Sequence, residues 1–457
     1  MSNPITLLTP PGTAEAINVA RRLTAMSARM PDALAVVVPR GREPGGKRKY
    51  DTFTFRQLEE DSNRIASGLR TMGVEPGARI ALLVRPSMEF ISLVFALFKA
   101  GAVIVLIDPG MGRKNLIRCL TDVRPEGFVA VPLVHAVRTL LRHKFPRARF
   151  NVTVGRRLFW NGLTLAEVRR RGQSAAICHD TRGDDPAAII FTTGSTGPPK
   201  GVLYRHGNFD RQVSELGDFY GIQPGEVDLP GFPLFGLFNC ALGVTTVIPD
   251  MDPSRPARVD PRKIVDAIHD WNVTQAFGSP AIWNRVGQYC HDWQIRLPSL
   301  RRVLSAGAPV PPNVLERMKA CIAADGDVHT PYGATEALPV ASISASEVLG
   351  ETQFLWAKGR GTCIGRKFPL IEWKVIEIVD GVISELSDAI EMPKGQIGEL
   401  IVSGPVVTRE YVTRTEANAL GKIVDGTRVW HRMGDVGYFD EQGRFWFCGR
   451  MAHRVQT

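Results

Sequence analysis

Cysteine is scarce in this sequence and follows no pattern. The 457 residues include seven cysteines, an odd number, and none of them belongs to a C-x-x-C pair. A zinc knuckle needs closely spaced cysteine pairs, and a disulfide framework is typical of short secreted chains with an even number of cysteines. We therefore expect reduced thiols and a cytoplasmic location.

Long hydrophobic runs are also missing. The apolar segments Ile80–Val84 and Phe90–Phe98 are interrupted by Arg85 and Glu89, and no window supplies the roughly 20 apolar residues that a membrane-spanning helix needs. The first residues show no basic flank followed by an apolar stretch, so we expect no signal peptide. The sequence predicts a soluble protein whose contact with a membrane is at most peripheral.

The patterns of nucleic-acid-binding proteins are missing too, although the net charge is +10. Basic residues concentrate between Arg138 and Arg171, but the segment has neither the aromatic pattern that stacks bases nor a helix-turn-helix or zinc pattern. We predict no nucleic-acid partner. A solvated basic surface is the favoured interpretation, while docking to an acidic partner, to anionic lipid headgroups or to a charged substrate stays open.

Strand-like and helix-like segments alternate along most of the chain, which favours a parallel sheet with helices on its faces. Ala78–Val84 reads as a buried strand, and the spacing after Pro86 predicts a helix through Phe98. Ala102–Ile107 and Ala187–Thr192 are further predicted strands. After Gly361 the sequence pattern changes to short strand-like segments separated by turn residues, which predicts a small β-rich region.

The strongest chemical signal is the segment TTGSTGPPKG from Thr192 to Gly201, directly after a predicted strand. Its amides and hydroxyls can converge on phosphate oxygens, and Lys200 adds a positive charge. Pro199 excludes a Walker P-loop, which requires the GK pair at that spacing. The alternative is a flexible surface turn. The candidate phosphate-binding residues are Thr192, Thr193, Gly194, Ser195, Thr196, Gly197 and Lys200.

This segment resembles the signature loop of the adenylate-forming superfamily, which comprises acyl-CoA synthetases, luciferases and peptide-synthetase adenylation domains. Further segments that resemble family motifs follow in family order over nearly the whole chain. They are FTFRQL (Phe53–Leu58), FKAGAVIVLIDP (Phe98–Pro109), SAGAP (Ser305–Pro309), YGATE (Tyr332–Glu336) and the Gly434–Asp435 pair.

The resemblance implies a role for each motif. Gly307, Ala308 and Pro309 would lie along adenine, and Tyr332 and Gly333 would lie on its face. Thr335 would contact the α-phosphate and Glu336 would hold Mg²⁺, which prefers oxygen ligands. Asp435 and Arg450 would take the ribose, since a carboxylate can accept both hydroxyls of a cis-diol. Lys200, Thr335 and Glu336 are the candidate catalytic residues, and ATP and Mg²⁺ are the expected cofactors.

The resemblance also implies a domain organisation. Residues 1–360 would form two doubly wound βα subdomains, residues 361–448 a small β-rich subdomain, and residues 449–457 the remnant of an interdomain hinge. Family members continue with a cap that supplies a lysine for adenylation. The last lysine here is Lys422, so we expect residues 1–457 to lack that cap and to adenylate poorly by themselves.

Two departures from the superfamily pattern carry more detail. His453 stands near a hinge position where many relatives have Asp, and Gly236 stands where acyl-CoA synthetases keep a His or aromatic gate. A glycine there would open space. With these features the chain most resembles the olefin-biosynthesis β-lactone synthetases. That branch adenylates a long-chain 2-alkyl-3-hydroxy acid, whose own 3-hydroxyl then closes a β-lactone and expels AMP.

Two other functions stay open, a long-chain acyl-CoA synthetase and a catalytically silent adenylate-binding module. The expected partner is a small hydroxy fatty acid; association with other olefin-pathway enzymes and a homodimer are left open. The sequence leaves the acyl chain length and the base for the 3-hydroxyl undetermined. His206 follows the signature loop, but a structural role is at least as well supported for it.

Overall fold

The computed structural model describes residues 16–43, 48–192, 198–232 and 234–453, apart from the side chain of Pro109. Helices and strands alternate through much of this part of the chain, and the strands form two large sheets. The predicted α/β class is confirmed.

The strands of the described residues are listed here in chain order: β1 (Leu34–Arg42), β2 (Arg48–Thr54), β3 (Arg79–Leu83), β4 (Val103–Leu106), β5 (Gly127–Ala130), β6 (Phe150–Thr153), β7 (Leu163–Thr164), β8 (Pro186–Phe191), β9 (Gly201–Arg205), β10 (Val227–Pro230), β11 (Thr245–Val247), β12 (Gln275–Gly278), β13 (Arg302–Ser305), β14 (Asp327–Ala334), β15 (Ala337–Ser344), β16 (Thr362–Lys367), β17 (Glu372–Ile376), β18 (Gly398–Ser403), β19 (Lys422–Asp425), β20 (Arg428–Phe439) and β21 (Phe445–Arg450).

The α-helices of the same residues are α1 (Arg21–Arg29), α2 (Phe55–Thr71), α3 (Met88–Ala100), α4 (Arg113–Val123), α5 (Pro132–Leu140), α6 (Leu165–Arg171), α7 (His206–Tyr220), α8 (Phe235–Leu242), α9 (Pro261–Trp271), α10 (Pro280–Asp292), α11 (Pro312–Cys321), α12 (Ala345–Glu347), α13 (Gln353–Trp356) and α14 (Ala417–Gly421). A π-helical turn, Val348–Thr352, joins α12 to α13. In the part of the chain that the structure describes, no helix is both long and apolar enough to cross a membrane.

The smaller sheet has the strand order β7-β6-β5-β3-β4-β8-β9. Its strands are parallel, except that β9 runs antiparallel to β8 with Phe191 opposite Gly201. The central strands are apolar without alternation, as expected where helices cover both faces of a sheet. Because the strands are parallel, the carboxyl ends of β3, β4, β5 and β8 meet at one edge. The segment Thr192–Gly201, which we call the nucleotide-loop segment, begins at this edge.

The larger sheet is parallel in one half and antiparallel in the other. Strands β1 and β10 to β14 pair in parallel, with β2 as an antiparallel edge strand. From β14 onward the pairing is antiparallel, through β15 and β16 to β21, β20, β18 and β17. The short strands that the sequence predicted after Gly361 belong to this antiparallel half, in which β14 and β15 connect them to the parallel half without a break.

Helix α3 is central to the core because its residues are almost all apolar. The hydroxyl of Ser87 caps it by accepting from the amide of Phe90 (3.2 Å), and Gly101 ends it in the left-handed conformation with a φ of 77°. From Met88 to Ala100 every residue except Glu89 is buried. The helix predicted after Pro86 is confirmed.

Lys99 is the charged side chain among the buried residues of α3. It is fully buried, and its ammonium donates to Glu59 Oε2 (2.7 Å), Ser62 Oγ (2.8 Å) and Asn63 Oδ1 (2.7 Å) on α2. Burial lowers the pKa of Lys99, and the carboxylate of Glu59 opposes that shift. The three hydrogen bonds compensate for the lost hydration and fix the register of α2 against α3.

Candidate active site

The described ends of the nucleotide-loop segment, Thr192 and residues 198–201, lie where the two sheets approach each other. Thr192 follows β8 and is buried, and its amide donates to the carbonyl of Lys200 (3.0 Å). At the start of β9, the amide of Gly201 donates to Thr413 Oγ1 (2.8 Å). The remaining predicted residues of this loop lie outside the described residues: Thr193, Gly194, Ser195, Thr196 and Gly197.

Lys200 and Glu336 share one neighbour, Tyr411. The ammonium of Lys200 lies 4.9 Å from the centre of the Tyr411 ring. The hydroxyl of Tyr411 donates to Glu336 Oε1 (2.7 Å). Two candidate catalytic residues that are 136 positions apart in the sequence therefore lie on either side of one buried tyrosine.

The YGATE motif forms the end of β14 and the turn into β15, so it is not the start of a helix. A side chain on Gly333 would bring its Cβ to 2.6 Å from the carbonyl of Ala337, so the turn requires glycine there. The carbonyl of Thr335 accepts from the hydroxyl of Tyr204 (2.6 Å). The carbonyl of Glu336 accepts from both the amide (2.8 Å) and the hydroxyl (3.0 Å) of Thr408. The turn is thus fixed from both sides.

Asp435 is 1% exposed and lies on β20, opposite Arg450 on β21. Its Oδ2 accepts from the hydroxyl of Tyr332. The Nε of Arg450 lies 2.9 Å from Oδ1, an ion-pair distance, but the pair does not meet hydrogen-bond geometry and Oδ1 lacks a donor among the described residues. Burial raises the pKa of Asp435, while Tyr332 and Arg450 oppose the shift. A buried carboxylate oxygen without a donor suits a ribose hydroxyl.

The segment Gly307–Pro309 follows β13, the strand beside β14 in the parallel half of the sheet. Gly307 has a φ of 93°, which favours glycine, and all three residues are exposed. Ser305 at the end of β13 is buried, and its hydroxyl has no hydrogen-bond partner among the described residues. The predicted adenine segment and Tyr332 thus extend from the same edge of neighbouring strands, with an unsatisfied polar atom beside them.

Lys422 belongs to this cluster, although sequence reasoning gave it no role. It opens β19 opposite His431, is buried, and donates to the carbonyl of Thr408 (2.5 Å). Its ammonium lies 5.6 Å from the centre of the Tyr411 ring. Burial lowers the pKa of Lys422 to about 7; Glu336 opposes this shift and Lys200 adds to it. No motif marks Tyr411 or Lys422, because the contact partners are distant along the chain.

Glu336 is the carboxylate available to a metal ion at this point. No group of three or more His, Cys, Asp or Glu side chains that could hold a metal occurs in the described ranges. Tyr411 occupies Oε1 of Glu336. One carboxylate beside a phosphate-binding segment fits Mg²⁺, which keeps several waters and takes further oxygen ligands from substrate phosphates.

Gly236 does not border open space. It lies in α8 and is buried, and a Cβ there would come within 3.3 Å of both Ile91 on α3 and Thr246 on β11. The expectation that this glycine opens a gate is wrong, because its small size serves the close packing of α8.

His206 is fully buried at the start of α7 and packs edge-on against Phe98, with ring centres 5.5 Å apart. Its Nδ1 accepts from the amide of Val19 (3.4 Å), and burial lowers its pKa to about 4. These contacts support the structural role, because they tie α7 to the N-terminal segment instead of to Glu336 or Asp435.

The sequence profile of the AMP-binding enzyme family matches residues 23–412. The chain belongs to this family. It is therefore an AMP-binding enzyme of the ligase type, which agrees with the resemblance seen in the motifs.

Two relatives share about half of their residues with this chain. The olefin beta-lactone synthetase of Stenotrophomonas maltophilia (strain K279a) is 48% identical over 448 residues, which cover 96% of this chain and 80% of that protein. The olefin beta-lactone synthetase of Xanthomonas campestris pv. campestris is 47% identical over 447 residues, which cover 96% and 79%.

The fold is shared with solved structures of the family. A long-chain-fatty-acid-CoA ligase from Archaeoglobus fulgidus superposes with a TM-score of 0.79 at 22% identity, and the match covers 97% of this chain and 86% of that chain. At this identity the likeness concerns the fold alone.

Proposed function

We propose that this enzyme adenylates a long-chain 2-alkyl-3-hydroxy acid with ATP and then closes the acyl adenylate to a β-lactone. The observation that carries the proposal is the 48% identity to an olefin beta-lactone synthetase over 96% of the chain. The acyl-CoA ligase that shares the fold is only 22% identical. Lys200 and Glu336, which share Tyr411, support the adenylation half of the reaction, and so does Asp435, whose Oδ1 can accept from a ribose hydroxyl.

The nucleotide is bound by residues from both sheets. Asp435 Oδ1 accepts from a ribose hydroxyl, with Arg450 beside it, and Tyr332 and Gly307–Pro309 border the adenine. Lys200 and the hydroxyls of the loop that starts at Thr192 hold the phosphates, and Thr335 contacts the α-phosphate. Glu336 and the phosphates would hold Mg²⁺, and the ion would supply positive charge against the pyrophosphate leaving group.

The chemistry has two steps. In the first, a substrate carboxylate oxygen attacks the α-phosphorus of ATP, and pyrophosphate leaves. In the second, the 3-hydroxyl oxygen attacks the acyl carbonyl carbon, the hydroxyl proton is released, and AMP leaves with the electron pair of the broken bond. The nucleophile is part of the substrate, so its effective concentration is high and offsets some of the strain of a four-membered ring.

The test is the product formed from ATP and a long-chain 2-alkyl-3-hydroxy acid, with and without CoA, measured by mass spectrometry with enzyme in excess over substrate, since residues 1–457 by themselves are expected to adenylate slowly. We expect β-lactone, AMP and pyrophosphate in equal amounts, with no effect of CoA. The same acid without its 3-hydroxyl should stop at the bound adenylate. Glu336→Gln is the matched control and should form none of the three products. CoA-dependent thioester at a comparable rate would instead establish a long-chain acyl-CoA synthetase.

A cytoplasmic location, a homodimer and association with other enzymes of the olefin pathway stay predictions. The partner that an adenylating site of this kind would bind is a small-molecule acid.

A further inference from the structure

Helix α5 and the loop after β6 carry exposed apolar side chains. On α5, Leu133, Val137 and Leu140 are 75%, 41% and 77% exposed, and their spacing puts them on one face of the helix. On the loop, Leu158 and Phe159 are 57% and 70% exposed. Side chains this exposed project beyond their neighbours. We call these five residues the α5 surface.

Stacked rings hold the two parts of the α5 surface together. His135, on the buried side of α5, stacks on Trp160 with ring centres 5.9 Å apart. Phe159 packs edge-on against Trp160 at 5.2 Å. The indole N–H of Trp160 donates to Thr153 Oγ1 (2.8 Å) at the end of β6. Because Trp160 is anchored on both sides, the loop is held beside the helix and the apolar side chains form one surface.

The chain around the α5 surface is purely basic. From Gly127 to Ala166 it has seven arginine and lysine residues and no aspartate or glutamate. Arg149 and Arg157 each lie within 4 Å of a carboxylate, and both of these carboxylates belong to residues outside Gly127–Ala166. Four exposed cations make no salt bridge within the ranges that the structure describes: Arg142, Lys144, Arg147 and Arg156.

We propose that the α5 surface docks on a bilayer that contains anionic phospholipids. Its apolar side chains would enter the region where headgroups meet acyl chains, as in other interfacial helices, while the cations around them bind headgroup phosphates. In the sheet order β5, which leads into α5, is three strands away from β8, which leads into the nucleotide loop. Docking therefore leaves the strand end before Thr192, and Lys200 before β9, outside the contact.

The charge of this surface argues against other occupants. A two-fold dimer through it would place the unpaired cations of two copies against each other, at a cost from like charge. The phosphates of a nucleic acid would pair with the cations, but its polar backbone would leave the exposed leucines without apolar contacts. An acidic protein would need a groove shaped to five projecting side chains, whereas a fluid bilayer needs no such match.

The test is sedimentation of the chain with sucrose-loaded vesicles of phosphatidylcholine alone or with about a third phosphatidylglycerol. We expect binding to the anionic vesicles that weakens with salt, and at least about tenfold weaker partition into phosphatidylcholine alone. Arg142→Gln/Lys144→Gln/Arg156→Gln should lower partition by about fivefold for each cation removed. Leu140→Gln/Phe159→Gln should lower it by at least about tenfold because it removes most of the inserted apolar area.

Matched controls change the same chemistry elsewhere. Trp293→Gln removes an exposed apolar side chain, and Lys358→Gln/Arg360→Gln/Lys394→Gln removes three exposed cations; both should bind vesicles as the original chain does. All the altered residues are on the surface, so thermal melting should be unchanged. Equal binding to both kinds of vesicle would overturn the proposal. So would anionic binding that the Leu140/Phe159 variant retains in full, because that result would mean a purely electrostatic surface suited to an acidic protein.

Discussion

At the scale of single residues, the candidate site depends on buried polar atoms whose partners are incomplete. Asp435 has one oxygen bonded to Tyr332 and another without a hydrogen-bond donor among the described residues. Within the described ranges, Lys422 makes one hydrogen bond, to Thr408, for three N–H donors. Such atoms cost free energy in a protein that binds nothing. One of them, on Lys422, is near Lys200 and Glu336, and the other, on Asp435, is bonded to Tyr332 of the YGATE motif, so both favour a polar ligand at the predicted nucleotide site.

Asp435→Ala should weaken ATP binding by about 1.5–3 kcal/mol, the usual contribution of hydrogen bonds that involve a charged group. Titration calorimetry with ATP and Mg²⁺ measures the change. Asp250→Ala, which alters an exposed carboxylate paired with Lys263, is the matched control and should bind as the original chain does. Unchanged affinity in Asp435→Ala would remove the ribose assignment.

Lys422 should make the free energy of unfolding depend on pH. Burial lowers its pKa to about 7, below the usual value of 10.5, so the folded chain binds fewer protons than the unfolded chain between these values. Stability then rises with pH across this window, by roughly 2 kcal/mol between pH 7 and 9. Lys422→Met has no such group, so its stability relative to the original chain should improve as the pH falls from 9 to 6.

Urea unfolding of both chains at pH 6, 7.5 and 9, without nucleotide, measures this difference. Lys358→Met, at an exposed lysine, should show no pH-dependent difference. A constant gap between Lys422→Met and the original chain would mean that Lys422 keeps its ordinary pKa in the fold.

At the scale of elements, the strand pair β18–β20 supports the end of the site that contains Asp435. Arg432 on β20 is buried and donates to Glu399 Oε2 on β18 through Nε (3.0 Å) and a terminal nitrogen (2.6 Å). It also donates to the carbonyls of Gly381 (2.7 Å) and Val379 (2.5 Å). Nearly all N–H donors of Arg432 therefore have acceptors, and these hydrogen bonds compensate for burying the charges of Arg432 and Glu399.

Arg432→Met should destabilise the fold by about 3–5 kcal/mol, because it leaves the carboxylate of Glu399 buried and unpaired. The double variant Arg432→Met/Glu399→Met should recover a large part of that loss, since it removes both charges. Denaturant unfolding measures the double variant and both single variants, Arg432→Met and Glu399→Met. If the double variant were as unstable as the sum of the single variants, the two side chains would not interact.

At the scale of the whole molecule, the candidate site connects the two sheets. Strand β9 of the smaller sheet bonds to the segment 410–413 through Gly201 and Leu203, and Tyr204 reaches the turn at Thr335. Lys200 directly precedes β9 of the smaller sheet, whereas Glu336 lies in the β14–β15 turn and Asp435 on β20 of the larger sheet. A nucleotide that contacts all three side chains therefore binds both sheets at once.

ATP with Mg²⁺ at a hundred times its Kd should stabilise the chain by about 2.7 kcal/mol. Because the ligand contacts both sheets, the whole unfolding transition should shift to higher temperature as one. Scanning calorimetry with and without nucleotide tests this, with Asp435→Ala as the variant that should shift less. If calorimetry showed two unfolding transitions, and nucleotide raised the temperature of only one of them, then the nucleotide would contact only one sheet.

The sequence by itself determined the elements and the family. Apolar runs and capping residues act within a few positions, so the helix that Ser87 caps and Gly101 ends could be predicted from local pattern, as could the strand before Thr192. The ordered motifs identified the AMP-binding enzyme family because each preserves a short run of residues. The same local view suggested an open gate at Gly236, where packing of α8 against α3 and β11 fills the space.

Only the tertiary structure decided which residues meet. Tyr411 and Lys422 carry no motif, yet they join Lys200 to Glu336, because strand pairing brings segments of the chain together that are far apart in sequence. Burial, which shifts the pKa values of Lys422 and Asp435, likewise depends on everything packed around them. A sequence pattern reflects the conformational preferences of neighbouring residues, whereas contacts between distant residues and their burial depend on how the whole chain packs.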